Sequence, residues 1–163
     1  MKKVLIIYDT QFGNTRKLAF EIASGIQHND GLITKVIEGH DLEKEDLSEY
    51  FGSLFGGPTR AFRATRGAMN SIKRAGNLGL DGKVVSTFGT YMMGDQSRGV
   101  KAMDKKLRKL ASGAKVISPG CSAKVEGPTG PIVSEEIPRA HEWGQVFGQG
   151  VLQQSRVTVP IEE

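Results

Sequence analysis

The sequence predicts an α/β fold: a doubly wound parallel sheet of five strands with helices on both faces. Two observations carry this. Short apolar, β-branched runs alternate five times with segments of helical spacing, the pattern that lays helices over a parallel sheet. The 163 residues contain one cysteine and no internal repeat or low-complexity tract. That length buries a core as one domain without a disulfide or structural metal. The expected domain covers residues 1–163, with a tail from about residue 154.

Val4 to Tyr8 reads as the first strand, short and apolar throughout. A helix follows from Thr15 to Gln27, with Leu18, Ile22 and Ile26 on one face and Asn14 or Thr15 as its cap. The run His28-Asn29-Asp30-Gly31 breaks the chain. Thr34 to Ile37 is the second strand, and Asp41 to Tyr50 reads as a short exposed acidic helix capped by Asp41. Gly52 to Gly57 is rich in glycine for a strand, but it stands where the third is due. A helix covers about Thr65 to Ala75, and Val84 to Phe88 is the fourth strand. Val100, Met103, Leu107 and Leu110 mark the next helix. Lys115 to Ser118 opens a fifth strand that runs past Pro119 towards Val125. The last helix spans about Ser134 to Gln153, with Trp143 and Phe147 one turn apart on its core side.

The charge balance is mild, 22 basic against 18 acidic residues, for a net charge of +4. It favours an anionic ligand or an acidic partner and does not by itself indicate nucleic acid. Only five apolar residues follow Met1-Lys2-Lys3 before Asp9, so no signal peptide is expected. No run reaches the length of a membrane span, and a single cysteine suits a reducing compartment; a cytoplasmic location is the expectation. His28, His40 and His141 lie apart in the sequence without a second ligand at metal spacing, so no metal site is expected. Cys121 has no His or Lys beside it and reads as structural. No Ser-His-Asp set or carboxylate pair suggests a catalytic side chain.

In such sheets ligands sit beyond the carboxyl ends of the strands. The turn after the first strand reads Thr10-Gln11-Phe12-Gly13-Asn14-Thr15. Helix N–H groups without internal partners point out of the helix start, and the dipole is positive there, so an anion is the natural guest. Thr10, Gln11, Asn14 and Thr15 can each donate a further hydrogen bond. There is no G-K-[ST] for a nucleoside triphosphate and no G-x-G-x-x-G for a dinucleotide. What remains is a set of neutral donors suited to one terminal phosphate, or simply a well-capped helix.

The stretch "IIYDTQFGNTRKLAFEIA" resembles the phosphate loop of flavodoxins, with Thr10, Gly13, Asn14 and Thr15 matching the family pattern. Phe12 departs from it, standing where many members carry a hydroxyl. The resemblance implies the strand order 2-1-3-4-5 and brings the loops after strands 1, 3 and 4 together. Those loops are "GGPTRAFRATRG" and "TFGTYMMGDQS". They are similar to the flavin loops of the flavodoxin domain in the flavodiiron branch, as is "VEGPTGPIVSEEIPRAHEWG" near the end. FMN is the implied cofactor. The implied site is Thr10, Gln11, Phe12, Gly13, Asn14, Thr15, Pro58, Thr59, Arg60, Ala61, Phe62, Arg63, Thr87, Phe88, Gly89, Thr90, Tyr91 and Gly94. Phe62 and Tyr91 suit stacking on a flat ring, backbone at Pro58 to Arg60 and at Gly89 suits its edges, and one of Met92 and Met93 suits apolar contact.

Arg60, Arg63 and Arg66 depart from the acidic surroundings common in the family, and Arg60 stands where a tryptophan is often found. They favour an anionic reduced flavin and an acidic redox partner. The leading expectation is an FMN-binding electron carrier serving redox partners. The alternatives are an FMN-dependent oxidoreductase, either an NAD(P)H:quinone reductase or a protoporphyrinogen oxidase, and a flavin-free interaction module.

Overall fold

A computed structural model of the chain describes residues 1–92, 94 and 97–158, with backbone only for 155–158. The central sheet is parallel. Strand β1 (Lys2–Tyr8) pairs with β2 (Leu32–Glu38) on one side and β3 (Tyr50–Arg60) on the other. Strand β3 continues into a two-residue hairpin partner, β4 (Arg63–Ala64), and pairs along its length with β5 (Val84–Tyr91). The expected fifth strand is two short pieces, β6 (Lys115–Val116) and β7 (Cys121–Lys124), both parallel to β5. In the numbering of five strands the order is 2-1-3-4-5.

The break in the last strand falls at Pro119, which has no N–H for the ladder. The chain there is held by side chains: Gly120 N–H donates to Asp104 Oδ2 at 3.1 Å, and Ser86 Oγ donates to the Ile117 carbonyl at 2.5 Å. Glycine in the central strand β3 has a packing reason. A Cβ on Gly56 would run into the ring of Phe88, and one on Gly57 would stand 2.7 Å from Ala68 Cβ.

Helix α1 (Asn14–Gln27) and helix α4 (Glu136–Thr158) cover one face, where Val4, Ile6, Leu18, Ile22, Leu54, Phe88 and Phe147 interlock. Helices α2 (Arg66–Leu78) and α3 (Arg98–Leu110) cover the other over Leu5, Ile7, Phe55, Ile72, Val85, Met103 and Leu107. The side chains of β1 thus alternate between two cores, as the pleat requires. Trp143 and Phe147 stack at 5.5 Å between ring centres.

Three expected elements are corrected. The acidic segment is not one exposed helix: it forms two 3-10 turns, Gly39–Lys44 and Leu47–Glu49, and Leu42, Leu47 and Tyr50 are buried in the second core. Its buried residues fall at positions 42, 47 and 50, a spacing that does not hold one helical face to the sheet. Neither Asn14 nor Thr15 caps α1; Gly13 does, with a left-handed φ of 89°. The last helix runs on to Thr158 instead of giving way to a tail near 154, and residues 159–163 lie outside the described residues.

Two of the histidines, distant in the sequence, are neighbours in the fold. His28 and His141 meet across the α1–α4 seam with ring centres 5.8 Å apart. The helices close there because Gly25 faces the His141 carbonyl and Gly144 faces the Ile22 carbonyl, each too near for a Cβ. No helix among the described residues is long and apolar enough to cross a membrane.

Candidate functional site

At the carboxyl end of the sheet the loops after β1, β3 and β5 enclose a cavity of about 330 Å³. Its wall is formed by Thr10, Gln11, Phe12, Asn14, Thr15, Pro58, Thr59, Arg60, Ala61, Thr90, Tyr91, Met92, Val125 and Pro128. Arg60 is the charged residue among these described lining residues.

The start of α1 opens onto this cavity, and no side chain caps it. Thr10 Oγ1 accepts from the Gly13 N–H at 2.9 Å, which leaves its own proton to donate outwards. Asn14 is 7% exposed and Thr15 is 1% exposed. Thr15 Oγ1 and Thr90 Oγ1 share a buried hydrogen bond of 3.2 Å, which ties the first loop to β5. The start of α2 is different: Thr65 caps it through Ala68 N–H, and Thr65 Oγ1 donates to Asp9 Oδ2 at 2.5 Å. The Asp9 carboxylate also lies within 3 Å of where a Cβ on Gly67 would stand. One helix N-terminus at this edge thus has an internal anion, and its neighbour is left open.

The second wall is the tip between β3 and β4. Ala61 and Phe62 carry left-handed φ values of 48° and 64°, as a two-residue hairpin turn demands. That geometry turns the Phe62 ring outward, 60% exposed, with the Arg98 guanidinium 5.5 Å from its centre. Phe62 and Arg63 therefore sit on the rim and not in the cavity wall. Thr59 Oγ1 accepts from Gly99 N–H at 3.1 Å and fastens this tip to the start of α3.

The third wall shows where the sequence reading overreached. Thr90 and Tyr91 reach the cavity. Thr87 and Phe88 do not: Thr87 is fully buried and donates to Asp104 Oδ1 at 2.5 Å, and Phe88 is a core residue over Gly56. Gly89 lies within the ladder between Gly57 and Ser122 instead of at its end. The side chains of β5 alternate between faces, so a continuous loop reading placed core residues at the site. Gly94 is exposed and outside the lining, and Met93 lies outside the described residues.

Sequence reasoning missed Val125 and Pro128. The segment after β7 folds back through a Val125–Ile132 bridge, with Val125 N–H donating to the Tyr91 carbonyl at 2.9 Å. This sets Gly130, with φ 91°, directly over Asn14. A Cβ there would stand 2.7 Å from Asn14 Nδ2 and nearer still to Oδ1. The signal was the repeated Gly-Pro of "EGPTGP", which marks a tight turn but not what it covers.

Away from the cavity, Cys121 is 7% exposed and burial pushes its thiol up to about 12. Among the described residues no group of three or more His, Cys, Asp or Glu side chains forms a metal cluster.

A doubly wound sheet with an open helix N-terminus at the junction of its first, third and fourth strands defines an α/β protein that takes an anionic ligand at its topological switch point. Residues 6–132 match the family model described as flavodoxin, and the chain belongs to the flavodoxin family. A flavodoxin of Aquifex aeolicus (strain VF5) is 39% identical over 59 residues, 36% of this chain and 32% of that protein. The alignment thus spans about a third of the curated relative's length. Among solved structures, the flavodiiron protein of Giardia intestinalis superposes with a TM-score of 0.80 at 19% identity over 98% of this chain and 38% of its own. A flavodoxin from the domain Archaea gives 0.78 at 18% identity over 92% and 99%. Oxidised flavodoxin 1 of Bacillus cereus gives 0.74 at 22% identity over 91% and 98%. Flavodoxins bind FMN and transfer electrons.

The residues present fit that cofactor. The start of α1, where Gly13 offers no side chain to the helix N–H groups, the free hydroxyl proton of Thr10 and the cradle that Gly130 forms over Asn14 suit a phosphate dianion without a lysine. Tyr91, Met92 and Pro58 supply the apolar wall a ring needs.

Proposed function

We propose that this chain is an FMN-binding electron carrier whose redox partners present acidic docking surfaces. The observation that carries the cofactor half is the contrast between α2, closed by Asp9 and Thr65, and α1, left open onto the cavity. In this reading Thr10, Asn14 and Thr15 hold the phosphate, and Arg60, Thr59, Thr90 and Tyr91 line the ring. FMN supplies one- and two-electron chemistry when bound. The protein fixes its position, limits water and sets the field around it. Among the described residues of the cavity wall, none has the pairing of an acid–base catalyst.

The rim supports the partner half. Phe12, Phe62 and Met92 are exposed around the mouth, beside exposed Arg60, Arg63 and Arg66. Exposed apolar residues together with exposed cationic side chains suit a small, transient electron-transfer interface with an acidic protein. The test has two arms. The purified protein should show a flavin spectrum and release FMN on denaturation; a colourless protein that fails to rebind FMN overturns the cofactor reading. In stopped-flow mixing, the FMN-loaded reduced protein should transfer electrons faster to an acidic iron–sulfur protein than to a basic haem protein. The acidic pair should slow with salt. The reverse preference overturns the docking reading, and steady turnover with NAD(P)H and a quinone, or with a porphyrinogen, overturns the carrier reading in favour of an oxidoreductase.

A further inference from the structure

We infer that His28 and His141 form a two-histidine site for a borderline divalent cation of the zinc, nickel and copper class, across the seam of α1 and α4. Nothing in the FMN site uses either residue. Imidazole nitrogen is a preferred ligand for these ions. At a metal–nitrogen distance of about 2.0–2.1 Å, each ring centre stands roughly 3.2 Å from the ion. Two such rings lie roughly 5.2 Å apart at the tetrahedral angle and roughly 6.4 Å apart when opposed. The observed 5.8 Å falls between these limits, with the ring planes 80° apart in an edge contact.

The seam holds the pair in place. Gly25 and Gly144 let the two backbones meet at positions where any Cβ would collide. Asn29 Nδ2 then bridges them, donating to the Ile26 and Gln145 carbonyls at 3.1 Å each. His28 itself is the C-cap residue of α1, where the negative end of the helix dipole favours a cation. The two rings open into a shallow groove shared with Ser24, Gln27 and Thr34. Gln27 Oε1 is already bonded to Thr34 N and Oγ1 at 3.0 and 2.6 Å, so water completes the coordination. A site with two neutral ligands and water is weaker than a four-ligand structural site, and the ion joins α1 to α4 by binding only the folded chain.

Zinc chloride, then nickel chloride, titrated into the untagged full chain by calorimetry tests this. The expected result is one ion per chain, and a melting temperature that climbs with ion concentration. His28→Ala and His141→Ala should each weaken binding about tenfold or more, whereas His40→Ala, at the other histidine, leaves it unchanged. Metal-free melting curves show whether each variant folds; His28→Gln, at an exposed position, keeps the test intact if His141→Ala does not. Absence of saturable binding, or undiminished binding in any folded variant at His28 or His141, overturns the proposal.

Discussion

Replacing Gly130 by alanine tests whether the returning segment after β7 sets the phosphate donors. Two costs are visible. At φ 91° an alanine sits in the left-handed region, worth roughly 1–2 kcal/mol. Its Cβ would also press on the Asn14 amide, at 2.7 Å from Nδ2. Asn14 is 7% exposed, so the amide has little room to retreat, and such overpacking costs about 1–3 kcal/mol. Gly31 separates the two terms: its φ is 93°, with nothing within 4 Å of a Cβ. Gly31→Ala should therefore cost only the backbone part, about 1–2 kcal/mol, and Gly130→Ala about 2–5 kcal/mol. At about 2–4 °C per kcal/mol for a chain of this size, melting curves resolve the difference. The functional readout is FMN affinity, followed by quenching of flavin fluorescence. Losing one hydrogen bond to a charged phosphate costs about 1.5–3 kcal/mol, a Kd increase of roughly 10- to 150-fold. Gly31→Ala should leave that Kd unchanged. Equal melting losses in the two variants, or an unaltered FMN affinity in Gly130→Ala, would refute the role given to Asn14.

Other expectations follow from the same geometry. Thr15→Val leaves the buried Thr90 hydroxyl without its partner and should lower stability by about 1–3 kcal/mol; Thr15→Ser should recover most of it, as read by denaturant unfolding. Arg60→Gln removes the charge in the cavity wall, and a spectroelectrochemical titration should find the second one-electron potential of bound FMN more negative. Arg60 is exposed, so the screened effect is about 1 kcal/mol or less, some tens of millivolts; a rise would contradict the electrostatic assignment. Burial lifts the Asp104 carboxyl above the ordinary carboxylate range, against opposing bonds from Thr87 and Gly120 and the nearby Arg108. The folded state therefore holds this proton more tightly than the unfolded state. That contribution to stability is complete below the ordinary aspartate value of 3.8 and is lost as pH rises through the folded value. Asp104→Asn removes it, so wild-type stability relative to the variant should fall as pH climbs through that window; a difference that grows with pH would show the sign to be wrong.

The legible parts of the sequence were those where local chemistry and global position agree. Val4 to Tyr8 is apolar at every position because the first strand is buried on both faces, and that pattern has few other readings. Thr10 to Thr15 was legible because a helix start concentrates its chemistry in consecutive residues. The loop after β5 was not. Thr87 and Phe88 look like site residues in a string, but the strand runs three residues further than its apolar core suggests and carries them inside. Glycine hid the same kind of information in β3. Gly56 weakens a strand by propensity, yet it is there because Phe88 fills its side-chain space, a contact 32 positions away in the chain. The pairing of His28 with His141 and the seating of Gly130 on Asn14 are of this long-range type, and neither leaves a trace in any window of adjacent residues.

The arrangement at the carboxyl edge of the sheet also explains how one surface can favour an anion without a lysine in the described cavity wall. Asp9 and Thr10 are consecutive, and they face different helices. Asp9 is drawn to α2 by Thr65, which keeps its negative charge from competing for the start of α1. Thr10 then shapes the α1 entrance by accepting from Gly13, and it retains a proton to donate. Had Asp9 turned to α1 it would have capped that helix as an internal anion, and the phosphate would have met repulsion instead of open N–H groups. A phosphate held by dipoles and neutral donors leaves the cationic side chains free of that task. In the proposed carrier Arg60 is then available to the ring and the exposed Arg63 and Arg66 to an approaching partner, which is where this chain departs from the acidic pattern its phosphate loop would lead one to expect.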